Sequence, residues 1–202
     1  MGTPFIMRER GRTMTFKYIA TCGPLTALAV FSAGCQGVSG PTRIEVQGVK
    51  NLTQDGDLYV AGLPTQDGLR AMRSRGVKTI IDLRTTEEGT TEEAQMAPRM
   101  GFKYVHVPMQ GDHMTVEQSR ELAKIANQHL GETTLLHCAG GNRAAAAYGI
   151  FLGATSQCST DQIISRAEEA GLQNPKLKEQ LRQRIDEGRK DEWGQAKAKK
   201  RA

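Results

Sequence analysis

From about residue 44 onward, short apolar runs of this chain alternate with longer amphipathic segments. The short runs predict strands, and the amphipathic segments predict helices, with apolar residues three and four positions apart. The predicted strands are 58–61, 78–83, 102–108 and 133–137, and the predicted helices are 65–75, 91–100, 115–130, 142–152, 159–170 and 176–188. Strands that alternate with helices in this order are typical of an α/β domain with a mainly parallel sheet.

Local signals support several of these boundaries. Thr115 is followed three residues later by Gln118, and Ser159 is followed by Gln162, which are two capping boxes at helix starts. The centre of the strand at 78–83 is continuously apolar, as expected for a strand with helices on both faces of its sheet. The chain therefore predicts an α/β three-layer sandwich with a mainly parallel central sheet.

The first 35 residues have the pattern of an export signal. Basic residues precede an apolar run at 18–33, which is shorter than the roughly 20 residues of a membrane span. The run ends in Ser32-Ala33-Gly34-Cys35, and small residues directly before a cysteine resemble a bacterial lipoprotein signal. That resemblance implies cleavage before Cys35, lipidation of its thiol and a protein anchored to a membrane in the bacterial periplasm. The alternatives are an ordinary cleaved signal and an uncleaved anchor.

Changes of composition divide the rest of the chain. Residues 36–43 carry Gly, Ser and Pro and predict a tether, 44–188 form the folded domain, and 189–202 predict a charged, flexible tail. Much of the net charge of +5 lies in basic residues at the two ends. Because no basic stripe with interleaved aromatic residues crosses the middle of the chain, a nucleic-acid partner is not expected.

The four cysteines do not suggest a disulfide framework. Cys22 lies in the signal and Cys35 is the proposed lipid site, which leaves Cys138 and Cys158 in the domain. The helix predicted between these two spans roughly 15 Å, whereas bridged cysteines need Cα atoms within about 7 Å. A bridge between Cys138 and Cys158 is therefore not expected.

The segment 137–143, His-Cys-Ala-Gly-Gly-Asn-Arg, joins the last predicted strand to an alanine-rich helix. Its glycines allow backbone amides to turn inward, and the helix N-terminus adds free N–H groups and the positive end of its dipole. Arg143 adds a planar set of donors suited to a tetrahedral oxyanion. Such surroundings favour a thiolate at Cys138. The pattern predicts an oxyanion site with a cysteine nucleophile; the alternative is a buried cysteine beside a glycine turn, with Arg143 in a surface ion pair.

This segment resembles the signature loop of the cysteine-dependent protein phosphatases. It is most similar to a bacterial branch, the beta-lactamase-hydrolase-like or tyrosine-phosphatase-like proteins, whose loops have the form His-Cys-Ala-Ser-Gly-Asn-Arg. The similarity covers roughly residues 48–172, through the segments 51–52, 56–65, 80–84 and 104–108. It implies a cysteine-phosphatase-like fold, a hydrolase of phosphomonoesters, and a phosphorylated protein or small molecule as substrate.

The resemblance also implies roles for the loop residues. Cys138 would attack phosphorus and form a phosphocysteine, while Arg143 and the loop amides would hold the phosphoryl oxygens. His137 would support the loop through hydrogen bonds. The residues implied to bind phosphate are Ala139, Gly140, Gly141, Asn142 and Arg143.

Two features differ from the usual phosphatase loop. Four residues instead of five separate Cys138 from Arg143, and Ala144 stands where a Ser or Thr usually helps the thiolate to leave. The bacterial branch shares the shorter spacing, but this spacing also resembles the loop of rhodanese-type sulfurtransferases. A sulfurtransferase that carries a persulfide on Cys138, and a non-catalytic oxyanion-binding module, are therefore alternatives.

A phosphatase also needs a general acid for the leaving oxygen. Asp112 is the candidate, because it lies just beyond the strand at 102–108, where it can face the same edge of the sheet as Cys138. The alternative is a turn residue ahead of the next helix, a place that Asp favours.

Asp82 and Arg84 also lie at the carboxyl end of a strand. They are candidates for the rim of the site, or for capping a loop together with Glu87 and Glu88. The spacing of the histidines matches no metal template, so neither a metal nor another cofactor is expected.

Overall fold

The computed structural model describes residues 40–191. The predicted export signal with Cys35 and the chain from residue 192 onward lie outside the described residues. The strands are β1 (Thr42–Arg43), β2 (Thr53–Asp55), β3 (Leu58–Ala61), β4 (Thr79–Asp82), β5 (Lys103–His106) and β6 (Thr134–His137). The helices are α1 (Gln66–Ser74), α2 (Thr91–Arg99), α3 (Val116–Gln128), α4 (Asn142–Thr155), α5 (Thr160–Glu169) and α6 (Pro175–Asp191), with a 3-10 helix at Thr86–Glu88.

The strands form one sheet in the order β1-β2-β3-β6-β4-β5. β2 runs antiparallel to both β1 and β3, whereas β3, β6, β4 and β5 run parallel to one another. β6 lies inside the parallel part, where Leu136 is paired with Val60 of β3 and with Ile81 of β4. Cys138, which follows β6, therefore leaves the sheet between β3 and β4. It lies at the carboxyl ends of the parallel strands, where open α/β sheets bind their ligands.

Helices cover both faces of the sheet. On one face, apolar side chains of α1 and α2, such as Leu69 and Ala97, pack against Ile80 and Leu135 of the sheet. On the other face, Ile81 and Leu136 contribute to a larger core with side chains of α3, α4, α5 and α6. Because neighbouring strand residues point to opposite faces, each central strand contributes to both cores. This arrangement is the predicted three-layer sandwich.

The alanine content of α4 brings it close to its neighbours. Residues 143–154 of this helix are all buried. A Cβ atom added to Gly149 would lie 2.6 Å from the side chain of Leu181 in α6, so the two helices meet without room for a larger residue. This packing fixes α4, and with it the loop that enters the helix from β6.

The structure differs from the sequence prediction at both ends of the domain. Thr42 and Arg43, predicted as the end of a tether, form β1 and are paired with Gln54 and Thr53. Such a short edge strand carries no apolar alternation that a sequence pattern can detect. At the other end, α6 continues to Asp191 instead of ending at 188; Arg189 donates a hydrogen bond to the carbonyl of Cys158, which holds this last part of the helix against the domain.

The helices within residues 40–191 include none that is both long enough and apolar enough to cross a membrane.

Candidate active site

Cys138 follows β6 directly and begins the loop that leads into α4. It is a free cysteine, as expected, and only 1% of it is exposed. Its Sγ accepts a hydrogen bond of 3.1 Å from the backbone N–H of Gly141. Gly141 has a φ of 109°, in the left-handed region where a glycine has no steric cost. This turn points its amide toward the sulfur and allows the helix to begin at Asn142.

Neighbouring segments hold the carbonyl groups of the loop. The carbonyl of Ala139 accepts from the N–H of Leu63 (3.1 Å), and that of Gly140 accepts from the side chain of Asn51 (3.1 Å). A Cβ atom on Gly62 would lie 3.2 Å from the Ala139 oxygen, so this approach suits a glycine. Since a planar peptide directs its N–H away from its carbonyl, these contacts turn the N–H groups of Gly140 and Gly141 to the opposite side of the loop, where that of Gly141 faces the sulfur.

Arg143 lies in the first turn of α4 and is 8% exposed. One end of its guanidinium donates to the carbonyls of Leu83 (3.3 Å) and Met109 (2.7 Å). Both terminal nitrogens donate to the carboxylate of Glu88, each at 2.6 Å. The hydrogen bonds with Glu88, together with the nearby Cys138, raise the pKa of Arg143 although burial opposes the shift. Arg143 is therefore a fixed cation beside the cysteine.

Glu88 lies in the 3-10 helix after β4, and about a third of its side chain is exposed. The hydrogen bonds from Arg143 lower the pKa of Glu88 to about 2, against a weaker opposing effect of burial. Its carboxylate also accepts from the backbone N–H of Thr85 (2.8 Å). Glu88 is thus an anion that orients Arg143.

The side chain of Asn142 turns away from the loop. Its Oδ1 accepts from the backbone N–H groups of Gln173 (2.8 Å) and Asn174 (2.9 Å), between α5 and α6. This contact joins the start of α4 to the start of α6. It leaves the backbone of Asn142, and not its amide side chain, as the group available to an oxyanion.

Asp112 lies on the segment between β5 and α3, three residues after Met109, whose carbonyl binds Arg143. Its carboxylate is 43% exposed and forms an ion pair of 3.1 Å with Lys176 at the start of α6. Gln180 of α6 donates to the backbone carbonyl of Asp112 (3.2 Å). Lys176 holds the pKa of Asp112 below its ordinary value. The segment of Asp112 thus reaches Arg143, but its carboxylate points to α6 as an anion.

Asp82 and Arg84 are not rim residues, contrary to one sequence-based expectation. They are 0% and 4% exposed. Arg84 donates to both carboxylate oxygens of Asp82 and, at 2.6 Å, to Glu93 of α2. Burial raises the pKa of Asp82, but the hydrogen bonds from Arg84, together with His137 and Tyr104, outweigh it, so that the pKa is lowered overall. The guanidinium of Arg84 is tolerated inside the domain because it is paired with these two carboxylates.

Asp82, Glu93 and His137 also bring one metal-ligand atom each to within 4.8 Å of one another. Both oxygens of Asp82 already accept hydrogen bonds from Arg84, and one of them accepts a further bond of 2.8 Å from Tyr104. The cation that these carboxylates hold is therefore the guanidinium of Arg84.

The sequence analysis did not identify Glu88, Glu93 or Asn51 as site residues. Glu88 was visible only as an acid shortly after a strand end, and Asn51 only as part of the family resemblance. Glu93 carried one detectable signal: it lies four residues before the buried Ala97 on the inner side of α2.

Comparisons with known proteins agree with this geometry. Residues 39–186 match the family described as PTP-NADK, "DSP-PTPase phosphatase fused to NAD+ Kinase". No curated protein matches the chain.

Solved structures similar to this one share its fold. A DUF442 protein from Shewanella putrefaciens CN-32 is 25% identical, with a TM-score of 0.58, over 70% of this chain and 94% of its own. The core catalytic domain of the PP-IP phosphatase SIW14 from S. cerevisiae is 20% identical, with a TM-score of 0.61, over 78% and 96%. TpbA from P. aeruginosa is 14% identical, with a TM-score of 0.57, over 78% and 93%. With most of its length matched and a cysteine–arginine loop at the centre of the fold, the chain belongs to the DSP-PTPase family of cysteine-dependent phosphatases.

Proposed function

We propose that this protein is an exported phosphatase that hydrolyses phosphomonoesters through a phosphocysteine on Cys138. The observation that carries the proposal is the pair of donors around its sulfur. The N–H of Gly141 bonds to Sγ, and the cation of Arg143 lies next to it. Together with the N-terminus of α4, these groups stabilise both a thiolate and a bound phosphoryl group.

The reaction has two steps. The Cys138 thiolate attacks phosphorus, the bond to the ester oxygen breaks, and the leaving oxygen takes its proton from Asp112. Water then attacks the phosphocysteine and gives a proton to Asp112, while the sulfur leaves as a thiolate. Arg143 and the amides of residues 139–142 hold the phosphoryl oxygens in both steps.

Asp112 can act as an acid only after it gains a proton. In the free protein Lys176 favours its anionic form. We propose that a bound substrate weakens this exposed ion pair, since the negative phosphoryl group attracts Lys176 and makes an anion at Asp112 less favourable. An aryl phosphate, whose leaving oxygen needs little help from an acid, is therefore a better first substrate than an alkyl phosphate.

A sulfurtransferase is the second candidate, and the four-residue spacing between Cys138 and Arg143 favours it. A loop of this size suits a persulfide, which is smaller than a phosphocysteine. Ala144, which is fully buried, offers no hydroxyl to assist the departure of the thiolate. A non-catalytic oxyanion-binding module would catalyse neither phosphomonoester hydrolysis nor sulfur transfer.

The test uses the purified full-length protein and a chromogenic aryl phosphate, with Cys138→Ser as the control. The proposal predicts turnover that disappears in the control. No turnover by folded protein with a reduced thiol would contradict it. Transfer of sulfur from thiosulfate to cyanide would then identify a sulfurtransferase, whereas phosphate binding unaffected by Cys138→Ser would identify a binding module.

We further propose that the protein is exported to the bacterial periplasm and anchored to a membrane by lipidation of Cys35. The support is the sequence pattern at 1–35 alone. Mass spectrometry of protein extracted from membranes should find a mature chain that begins at a lipid-modified Cys35. An unmodified Cys35 thiol in that chain would contradict the proposal.

A further inference from the structure

A group of buried polar side chains lies on the α1/α2 face of the sheet, next to the start of the catalytic loop. Its members come from β4, β5, β6, α2 and the residues after β4, and they are Asp82, Arg84, Glu93, Tyr104 and His137. We call this set the buried charge group. His137 belongs to it and is followed directly by Cys138, so the group and the thiol lie on the two sides of one peptide bond.

The charges in this group do not balance without an additional proton. Asp82 and Glu93 bring two carboxylates, whereas Arg84 brings one guanidinium. The side chains of these three residues are 0%, 8% and 5% exposed, so water compensates little of the difference. An uncompensated charge in such surroundings is strongly unfavourable, and proteins avoid it by binding or releasing a proton.

His137 is the group that can take this proton. Its Nε2 lies 2.9 Å from Glu93 Oε1 and 3.9 Å from Asp82 Oδ1. Although the distance to Glu93 is short, the two atoms are not aligned as a hydrogen bond, and Nδ1 has no hydrogen-bond partner among the described residues. The contact between His137 and Glu93 therefore has the geometry of an ion pair and not of a hydrogen bond, because an ion pair depends on separation more than on angle.

The other charges around His137 decide where the proton resides. Glu93 Oε2 accepts a hydrogen bond of 2.6 Å from Arg84. Asp82 is held as a carboxylate by Arg84 and Tyr104. One guanidinium is thus shared between the two acids that face His137, and the imidazole is the remaining group placed to balance the second carboxylate.

We propose that Glu93 is a positioning residue for Cys138, which acts by holding His137 in place as an imidazolium beside the catalytic loop. This inference rests on the proposed role of Cys138 as the nucleophile. A cation at His137 favours a thiolate at the next residue, whereas two unbalanced carboxylates would oppose it. Glu93 itself touches neither the thiol nor the substrate.

The reactivity of the thiol tests this role without any need for turnover. Full-length protein is treated with iodoacetamide between pH 5 and pH 9, and alkylation of Cys138 is followed by mass spectrometry. Glu93→Gln keeps the size of the side chain but removes its charge, so the imidazolium loses its partner. At pH 6 alkylation should be several-fold slower in Glu93→Gln than in the unmodified protein, because the substitution removes the imidazolium next to Cys138 together with its more distant carboxylate partner, and the nearer charge has the larger effect on the thiol. At pH 9 the two rates should agree.

Glu92→Gln is the matched control, because Glu92 is the exposed neighbour of Glu93 in α2. Its alkylation curve should match that of the unmodified protein. Identical curves for Glu93→Gln and the unmodified protein would overturn the proposal. A missing phosphatase activity would not affect this measurement, so failure of the proposed function and failure of this inference can be distinguished.

A second measurement covers the case in which Glu93→Gln does not fold. Long-range ¹H–¹⁵N spectra of the unmodified chain distinguish an imidazolium from a neutral imidazole. The signals of His137 are assigned by elimination through single substitutions of His106, His113 and His129. The proposal predicts an imidazolium at His137 at pH 7, and a neutral ring there would overturn it.

Discussion

Glu88→Gln is the substitution that most directly tests how Arg143 is held. Glu88 accepts one hydrogen bond of 2.6 Å from each terminal nitrogen of Arg143. Glutamine keeps the length of the side chain and one oxygen, which can still accept from the N–H of Thr85. The substitution therefore removes a charge while it preserves the local 3-10 helix.

The size of the effect follows from the acidity of Glu88. Its pKa is lowered from 4.5 to about 2, chiefly by Arg143. Since each tenfold change in acidity is worth about 1.4 kcal/mol, the upper limit for this stabilisation is about 3 kcal/mol. About a third of the Glu88 side chain is exposed, and solvent screening reduces the value to about 1–2 kcal/mol. Arg143 keeps the carbonyls of Leu83 and Met109, which limits the loss further.

The pH dependence has a defined direction. Because the pKa of Glu88 is lowered on folding, its contribution to the free energy of unfolding is complete above about pH 4.5 and is lost as the pH falls toward about 2. Urea unfolding should therefore show Glu88→Gln to be less stable than the unmodified protein at pH 7, and the difference should shrink at pH 3. In addition, KM for an aryl phosphate should rise, since Arg143 becomes less well oriented.

Glu87→Gln provides the control, because Glu87 is exposed and adjacent but makes no contact with Arg143 among the described interactions. It should leave KM unchanged and should cost less stability than Glu88→Gln, because the lowered pKa of Glu87 reflects only hydrogen bonds with its own backbone and Thr85. A Glu88→Gln protein as stable as the unmodified one at pH 7, or a difference that stays constant down to pH 3, would refute this account of Arg143.

Three further predictions concern other parts of the structure. Asp112→Asn should slow hydrolysis of an alkyl phosphate far more than that of an aryl phosphate; equal effects in steady-state kinetics would remove Asp112 from the mechanism. Ala144→Ser supplies the missing hydroxyl and should speed breakdown of the phosphocysteine, seen in rapid-quench kinetics as less intermediate at steady state, and an unchanged amount would contradict this role. Gly68→Ala places a Cβ atom 2.3 Å from the backbone oxygen of Gly48, so urea unfolding should show a free energy of unfolding lower by about 2 kcal/mol or more. A smaller decrease would contradict the close contact between these two backbone segments.

Local patterns were enough to predict the centre of the fold. β6, the glycine turn and the start of α4 follow one another in the chain, so apolar runs and helix signals place Cys138 and Arg143 without any knowledge of distant contacts. Strands β1 and β2 were not predicted, because they are short and depend on the pairing of β1 with β2 and of β2 with β3.

The residues that surround the loop could not be predicted in the same way. Glu88 and Glu93 reach Arg143 and His137 only after β4 and β6 have paired and α2 has packed on the sheet. Asp82 and Arg84 show the same limit. Their positions at a strand end were evident, but their burial depends on a third charge in α2 that no local pattern connects to them.

The measurement that tests the central claim most directly is a search for the phosphocysteine itself. Full-length protein is mixed with an aryl phosphate, quenched within milliseconds in denaturant at alkaline pH, where the phosphorus–sulfur bond survives, and analysed by intact mass and peptide mapping. The account predicts one added phosphoryl group on Cys138 that is absent in Cys138→Ser. Released phosphate without any phosphoryl group on Cys138, or a phosphoryl group on another residue, would contradict it.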